Sequence, residues 1–575
     1  MSLLSRQPAL LPILSLSGLL SLTACDPQPA APAPTPEITA STARAPAPVA
    51  PRQQMEAELH THIEILSSDA FGGRAPATPG ETLTIDYLQA AFRNLGLQPG
   101  NGDSYFQEVP VTEITADSNV VLSLRGSDYY RDLAYADDMV VATYQEVEGI
   151  GISDSELVFV GYGIVAPERG WNDYADVDVR GKTVVILVND PGYATQDPDL
   201  FNGNTMTWYG RWPYKYEEAA RQGAAGALII HETGAAAYGW DVVRNSWTGP
   251  QIVLSDPDLG ADQSPVIGWL TQEAARDLFD GAGLDFDALV TAAAQPGFRA
   301  VPIGDITASA SLTNVIRRST SNNVIAMIPG TERPDETIIY TAHWDHLGVN
   351  EELPGDNIYN GAADNASGTA ALLSLARLFM EHPEPPKRSV VFLAVTAEES
   401  GLLGSQWYAQ NPLFPLETTV ANINMDAIVT AGPMRDVVVV GYGNSELDDY
   451  LQAAVARQEG RYVAPEPHPE RGLYYRSDHL NFARQGVPAL YAKSGEDSVV
   501  SGREWGAAQA QDYTDNRYHA PSDEYSPDWD LSGMVLDIQL YFDIGQRLSQ
   551  EASWPNWREG NEFRAIRDAS AATRN

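Results

Sequence analysis

The chain has 575 residues and a formal net charge of −41, with 43% hydrophobic and 20% charged residues. That balance supplies apolar material for a sizeable core and excludes disorder along the whole length, while the length suggests two to four domains. The acidity argues against nucleic acid as a partner, and the single cysteine excludes a disulfide framework and a four-thiolate zinc site, so any metal must be held by carboxylates and histidines.

In chain order, residues 1–24 carry one cation, Arg6, and no acid, and an apolar run from Ala9 to Leu22 leads to Leu22-Thr23-Ala24-Cys25. A short cationic start, an apolar core and small residues at its end describe a secretory signal. Later segments fall short of the roughly 18 consecutive apolar residues of a bilayer span. The Leu-Thr-Ala-Cys ending resembles a bacterial lipobox, which implies cleavage before Cys25, lipidation of its thiol and a lipid anchor on a membrane face towards the periplasm or exterior. An ordinary signal with a coincidental cysteine is the competing reading. Residues 25–54 read as a tether: positions 26–54 hold eight Pro and eight Ala, a composition that stays extended and would reach roughly 90 Å at about 3.1 Å per residue.

Residues 55–115 open the main body, with a helix expected over Thr82–Leu95 that stops at Gly96. Residues 116–305 are dense in short β-like runs, including Leu157–Val160 and Thr183–Val188. A helix over Tyr216–Ala225 is expected to lead into a strand at Ala227–Ile230. The aromatic cluster from Trp208 to Tyr214 reads either as a lid over a cleft or as packing. Residues 306–555 alternate strands (Thr337–Thr341, Ser389–Thr396, Val420–Met425, Val437–Val440, Ala489–Ala492) with helices (Ala366–Phe379, Glu446–Gln458, Leu531–Leu548). Such alternation predicts an α/β fold with a mixed, largely parallel sheet flanked by helices, whose sites form beyond the carboxyl ends of the strands. Residues 556–575 read as a C-terminal tail.

Charged groups sit where those strands end. The sequence runs Ala342-His343-Trp344-Asp345-His346 after one strand, Ala397-Glu398-Glu399 after the next and Met425-Asp426 after a third. Asn360 to Gly368, containing Asp364, opens a helix, and a late loop carries Arg517-Tyr518-His519-Ala520-Pro521-Ser522-Asp523. Each alone has a bland explanation: a helix cap for Asp364, a solvated helix start for Glu398-Glu399, a satisfied core histidine for His343. Two histidines and three acids together, His343, Asp364, Glu399, Asp426 and His519, form a mixed nitrogen and oxygen set that suits zinc, enough for two ions if one carboxylate bridges. Asp345, two residues from His343 and so on the same face of a strand, is expected to accept that histidine's free ring N–H.

In their order and approximate spacing, AHWDH, NGAADNASG, AEESG, NMD and YHAPSD resemble peptidase family M28, the co-catalytic zinc aminopeptidases. The likeness covers about 320–552 together with GGRAPATPG near the amino terminus. The stretch with GKTVVILV and GALIIHE resembles the protease-associated (PA) domain that some members insert. The resemblance implies a zinc exopeptidase fold with an inserted β-rich domain over 116–305 and two Zn2+ ions, other divalent metals being possible. It also implies peptide substrates. Carried over by position, His343 and Asp426 hold one ion, Glu399 and His519 the other, and Asp364 bridges. Glu398 is the general base, and Tyr518 is a candidate donor to the oxyanion. Arg476-Ser477-Asp478-His479 is similar to a stretch near the family's substrate pocket, and an Arg476–Asp478 ion pair accounts for it equally well. Aminopeptidase activity is the leading expectation. Carboxypeptidase or glutaminyl cyclase activity and a non-catalytic binding protein are the alternatives, and oligomeric state is not legible.

Overall fold

The computed structural model describes residues 51–574 apart from Glu352. The signal segment, Cys25 and nearly all of the expected tether lie outside the described residues. Helix Pro51–Leu66 begins inside that tether, so positions 51–54 are helical rather than extended.

Four parallel strands form the centre of the main sheet, in the spatial order Arg388–Val395, Arg333–His343, Thr419–Asn424 and Ala489–Ser494. Antiparallel neighbours flank them: the end of Val301–Ile328 beside Arg388–Val395, and Asp436–Val440 beside Ala489–Ser494. The fold is therefore α/β, with a mixed, largely parallel sheet. Period-two alternation divides its two cores. Ile338, Tyr340, Val390 and Phe392 face helices Pro51–Leu66, Pro79–Leu95, Ser367–Glu381 and Ser532–Gln550. Ile339, Val391, Leu393 and Val395 face Leu403–Gln410 and His479–Arg484 through Tyr408 and Phe482. With both faces covered, the strands are apolar runs, which is why they were legible.

A second lobe between about residues 120 and 312 has its own core on either side of its own sheet. There Gly149–Phe159, Thr183–Leu187, Gly226–Ile230 and Val266–Leu270 lie parallel in that order, with Met139–Ala142 antiparallel at the edge. The helix expected over Tyr216–Ala225 instead spans Trp212–Arg221. Pro213 is tolerated in its first turn, where a missing N–H costs nothing, and Gly223 at φ +78° turns the chain towards the next strand.

Two expected boundaries move. Strand Val301–Ile328 pairs with Gly149–Phe159 in the second lobe, then with Phe106–Ala116, then with Arg388–Val395. A border at residue 305 thus falls inside one continuous strand. Residues 556–574 fold back onto the body: Trp557 is fully buried and donates to the Gly486 carbonyl at 3.0 Å, and Arg567 donates to the Thr419 carbonyl at 2.8 Å.

Candidate metal centre

Because the central strands are adjacent and parallel, their carboxyl ends open on the same side. His343 is the last residue of Arg333–His343, and the neighbouring strands end just before Glu398-Glu399 and Asp426. Asp364 lies in the turn Ala362–Ala366 that leads into helix Ser367–Glu381. His519, with φ +55°, lies in the loop after helix Arg503–Asn516. That loop also carries Asp523, whose carboxylate accepts the Ala363 and Asp364 N–H groups at 3.1 and 3.0 Å. The loop bearing one histidine thereby fixes the turn bearing the central acid.

The five expected ligands converge. Asp364 divides its oxygens between the histidines, with Oδ1 3.2 Å from His343 Nε2 and Oδ2 3.3 Å from His519 Nε2. Asp426 Oδ1 is 3.4 Å from His343 Nε2, and Glu399 Oε2 is 3.0 Å from His519 Nε2. Three of these four separations are long for N–H···O hydrogen bonds, whose mode is about 2.9–3.0 Å. Donor atoms at the corners of a tetrahedron around zinc, about 2.05 Å from its centre, stand about 3.3 Å apart. The facing atoms of His343, Asp364 and Glu399 all lie within 4.8 Å of one another, as do those of His343, Glu398 and Asp426. Spacing and donor chemistry both suit a divalent cation.

Each terminal carboxylate keeps one oxygen towards the centre because the protein holds the other. Ser477 Oγ donates to Asp426 Oδ2 at 2.6 Å, and Asn424 in turn donates to Ser477 Oγ at 2.6 Å. His346 Nδ1 donates to Glu399 Oε1 at 2.6 Å. The His346 ring is buried against Gly361, where even a methyl group would come within 2.6 Å of it. His343 Nδ1 lies 3.1 Å from the Asp345 carbonyl oxygen. A carbonyl only accepts, so Nδ1 carries a proton, and Nε2 is the nitrogen turned towards the carboxylates. The Asp345 carboxylate does not take the expected place: it is 3.8 Å from His343 Nδ1 and instead accepts the Glu398 and Glu399 N–H groups at 3.1 and 3.4 Å. The shared-face argument holds only within a strand, and this strand stops at His343.

Burial opposes charge at all these groups, and their neighbours decide the outcome. Against desolvation, Glu398, Asp364 and Asp426 hold the His343 imidazole well above its ordinary value, and Glu399 and Asp364 do the same for His519. Against desolvation, the two histidines hold Asp364 well below the carboxylate range, while His519 and His346 bring Glu399 down to about 2. Glu398 moves the other way. Burial, only partly offset by His343, pushes its carboxyl well above the ordinary range, so Glu398 has a greater proton affinity than a free carboxylate. Burial likewise raises Asp345 to about 7.

Tyr518 stacks on His519 with ring centroids 3.9 Å apart and lines the same cleft as Glu398 and Arg476. Arg476 forms no ion pair with Asp478 among the described residues. Sequence reasoning missed His346, Ser477, Asp523 and Arg74 as supports of the site. The buried Arg74 guanidinium donates to the carbonyls of Trp344, Leu66, Asn360 and Gly361 at 2.5–2.9 Å. Their only sequence signal was membership of the quoted motifs. The cleft over the site has a volume of about 2710 Å³, and the second lobe supplies part of its wall through Trp208, Arg211 and Trp212.

Comparison with known proteins points the same way. Residues 323–543 match peptidase family M28. Aminopeptidase NAALADL1 of Mus musculus is 36% identical over 308 residues, covering 52% of this chain and 38% of that protein. A protein of Arabidopsis thaliana called probable glutamate carboxypeptidase AMP1 is 25% identical over 374 residues, covering 60% of this chain and 48% of its own. The chain thus spans less than half the length of these relatives. Among solved structures, an aminopeptidase from Aneurinibacillus sp. strain AM-1 is 22% identical, covering 87% of this chain and 94% of its own, with a TM-score of 0.48. The matched span, residues 323–543, contains His343, Asp364, Glu398, Glu399, Asp426 and His519.

Proposed function

We propose that this chain is a dinuclear zinc aminopeptidase that hydrolyses the amino-terminal peptide bond of peptides. The observation that carries this reading is the division of the Asp364 carboxylate between His343 and His519, with a further carboxylate beside each histidine. His343 and Asp426 would hold one ion, Glu399 and His519 the other, and Asp364 both. When bound, such a pair supplies Lewis-acid polarisation of the scissile carbonyl and lowers the pKa of water.

The protein's own share can be read from its residues. Glu398, with its raised proton affinity, accepts a proton from the attacking water and passes it to the leaving amine. The Asp345 carboxylate pins the Glu398-Glu399 backbone, so that adjacent glutamates serve the two different roles. The Tyr518 hydroxyl would donate to the developing oxyanion. Removal of a carboxyl-terminal residue is the second reading, favoured by arginines of the cleft, Arg211, Arg471 and Arg476, that form no ion pair with a carboxylate among the described residues. Under the same reading the second lobe serves as a PA-like domain, and Cys25 anchors the exported protein to a membrane, which incorporation of labelled fatty acid lost on Cys25→Ser would test. The deciding experiment for the catalytic assignment is metal content by elemental analysis, combined with hydrolysis of free and amino-blocked aminoacyl substrates. About two zinc per chain and cleavage of free substrates alone are expected; cleavage of blocked peptides at the carboxyl end would instead establish the second reading.

A further inference from the structure

The wall that the second lobe presents to the cleft is also its grip on the main lobe. The Met206 N–H donates to the Pro469 carbonyl at 3.2 Å, and the Asn204 amide donates to Glu470 Oε2 at 3.0 Å. A methyl group on Gly472 would come within 2.5 Å of Met206 Sδ, so the two turns meet without a gap. Two residues on, the Trp208 ring packs against the core of the second lobe and against a core cluster of the main lobe. Its centroid lies 6.1 Å from that of Tyr475 and 4.8 Å from the guanidinium carbon of Arg484. Arg484 Nη2 also pairs with Glu217 of the second lobe at 3.1 Å.

Between Tyr475 and Arg484 the chain carries a support of the metal centre. Ser477 lies two residues after Tyr475, its hydroxyl donates to Asp426 Oδ2 at 2.6 Å, and helix His479–Arg484 follows. Trp208 therefore clasps the segment that bears Ser477 at both of its ends. Asn424 holds the same hydroxyl from the sheet at 2.6 Å, but the Ser477 backbone belongs to the clasped segment. A hydrogen bond weakens steeply with misalignment, so a shift of that backbone would loosen the hold on Asp426. The clasp itself has a firm base. Asp190, fully buried, accepts the Thr207 N–H and hydroxyl at 3.0 and 2.8 Å. Lys215, also fully buried, donates to the Tyr162 and Asn189 carbonyls at 2.6 and 2.9 Å, and the Asn189 N–H donates to the Gly210 carbonyl at 3.1 Å. Close-packed, hydrogen-bonded supports of this kind transmit a displacement more than they absorb it.

We propose that Trp208 of the second lobe is a positioning residue of the metal centre: by clasping Tyr475 and Arg484 it keeps Ser477 on Asp426, so that docking of the second lobe sets the affinity of the metal site that Asp426 serves. This rests on the metallopeptidase reading above and deepens it by making the second lobe a determinant of metal occupancy. The aromatic cluster then acts neither as a lid nor as packing alone.

The test is zinc titration of the metal-depleted full chain against a chromophoric chelator. Trp208→Ala should weaken one of the two affinities about tenfold or more, and it should be the affinity that Ser477→Ala weakens. The double variant should bind within about threefold of Ser477→Ala alone, because both changes act through one hydrogen bond. Trp208→Phe, which keeps a ring against both partners, should recover most of the loss. Arg484→Met disturbs the clasp from the main-lobe side and leaves Trp208 in place, so it carries the test if Trp208→Ala does not fold. It should weaken the same affinity about two- to fivefold. Unchanged affinities, equal weakening of both sites, or full additivity with Ser477→Ala overturns the proposal. If the chain binds no zinc, the metallopeptidase reading fails by itself. The clasp is then decided by urea denaturation of the metal-free protein. A midpoint shift in Trp208→Ala/Ser477→Ala smaller than the sum of the two single shifts supports it, and strict additivity refutes it.

Discussion

Replacing His346 by Ala tests whether the second layer of side chains governs metal binding one ion at a time. His346 makes one short contact, 2.6 Å from Nδ1 to Glu399 Oε1, and that bond leaves Oε2 facing His519 at 3.0 Å. Deleting a hydrogen bond to a charged group costs about 1.5–3 kcal/mol. Freed of that donor, Glu399 can rotate, and loss of an outer-layer partner of this kind typically weakens metal binding about 10–100-fold. The two ranges agree, since tenfold corresponds to about 1.4 kcal/mol. Ser477→Ala should act in the same way on Asp426, and hence on the other ion. Titrating metal-depleted protein with zinc against a chromophoric chelator would resolve two affinities. His346→Ala should weaken one of them and Ser477→Ala one of them, and the double variant both. His346→Asn, whose amide can replace Nδ1–H, should recover most of the loss. Unchanged affinities in His346→Ala, or a single variant weakening both sites equally, would refute the assignment of one support to one ion.

Other outcomes follow from the same geometry. Glu398→Gln should lower kcat by about 10²–10⁴-fold while zinc content stays constant; retained turnover would remove Glu398 as the proton carrier. Arg74→Met leaves four buried carbonyls without their donor and should destabilise the main lobe by about 3–5 kcal/mol, read from urea midpoints. Burial, partly offset by its bond from the Ile164 N–H, raises Asp173 in the second lobe to about 7. Its folded value lies above the unfolded value near 4, so the stability tied to its protonated form is present at low pH. It falls as pH rises from about 4 to 7, by up to ~1.4 kcal/mol per pH unit. Asp173→Asn should flatten that slope in denaturation followed by tryptophan fluorescence, and an unchanged slope would show that Asp173 ionises freely.

The sequence exposed the parts of the site that lie next to strands. His343, Glu398, Glu399 and Asp426 were legible because each polar residue follows an apolar run that only a two-sided sheet explains. His519 and Asp364 came from the motif series. The supports were harder to see because their partners are distant in sequence: His346 meets Glu399, and Asp523 meets the turn around Asp364, only after folding. Asp345 was assigned by strand alternation beyond the point where the strand ends. The tail and the border at 305 were misplaced because composition does not report long-range pairing. Trp557 finds Gly486, and Val301–Ile328 passes through the border as one strand.

That shared strand also sets what can reach the centre. The two lobes are joined by a 28-residue β-strand whose middle, Asn314–Val324, is paired with Phe106–Ala116. A hydrogen-bonded ribbon resists bending in its plane and yields mainly by changing its twist. The gap between the lobes is thus governed by a stiff spring, and admission becomes a matter of girth: a thin, extended chain end can enter, whereas a folded domain would have to untwist the ribbon first.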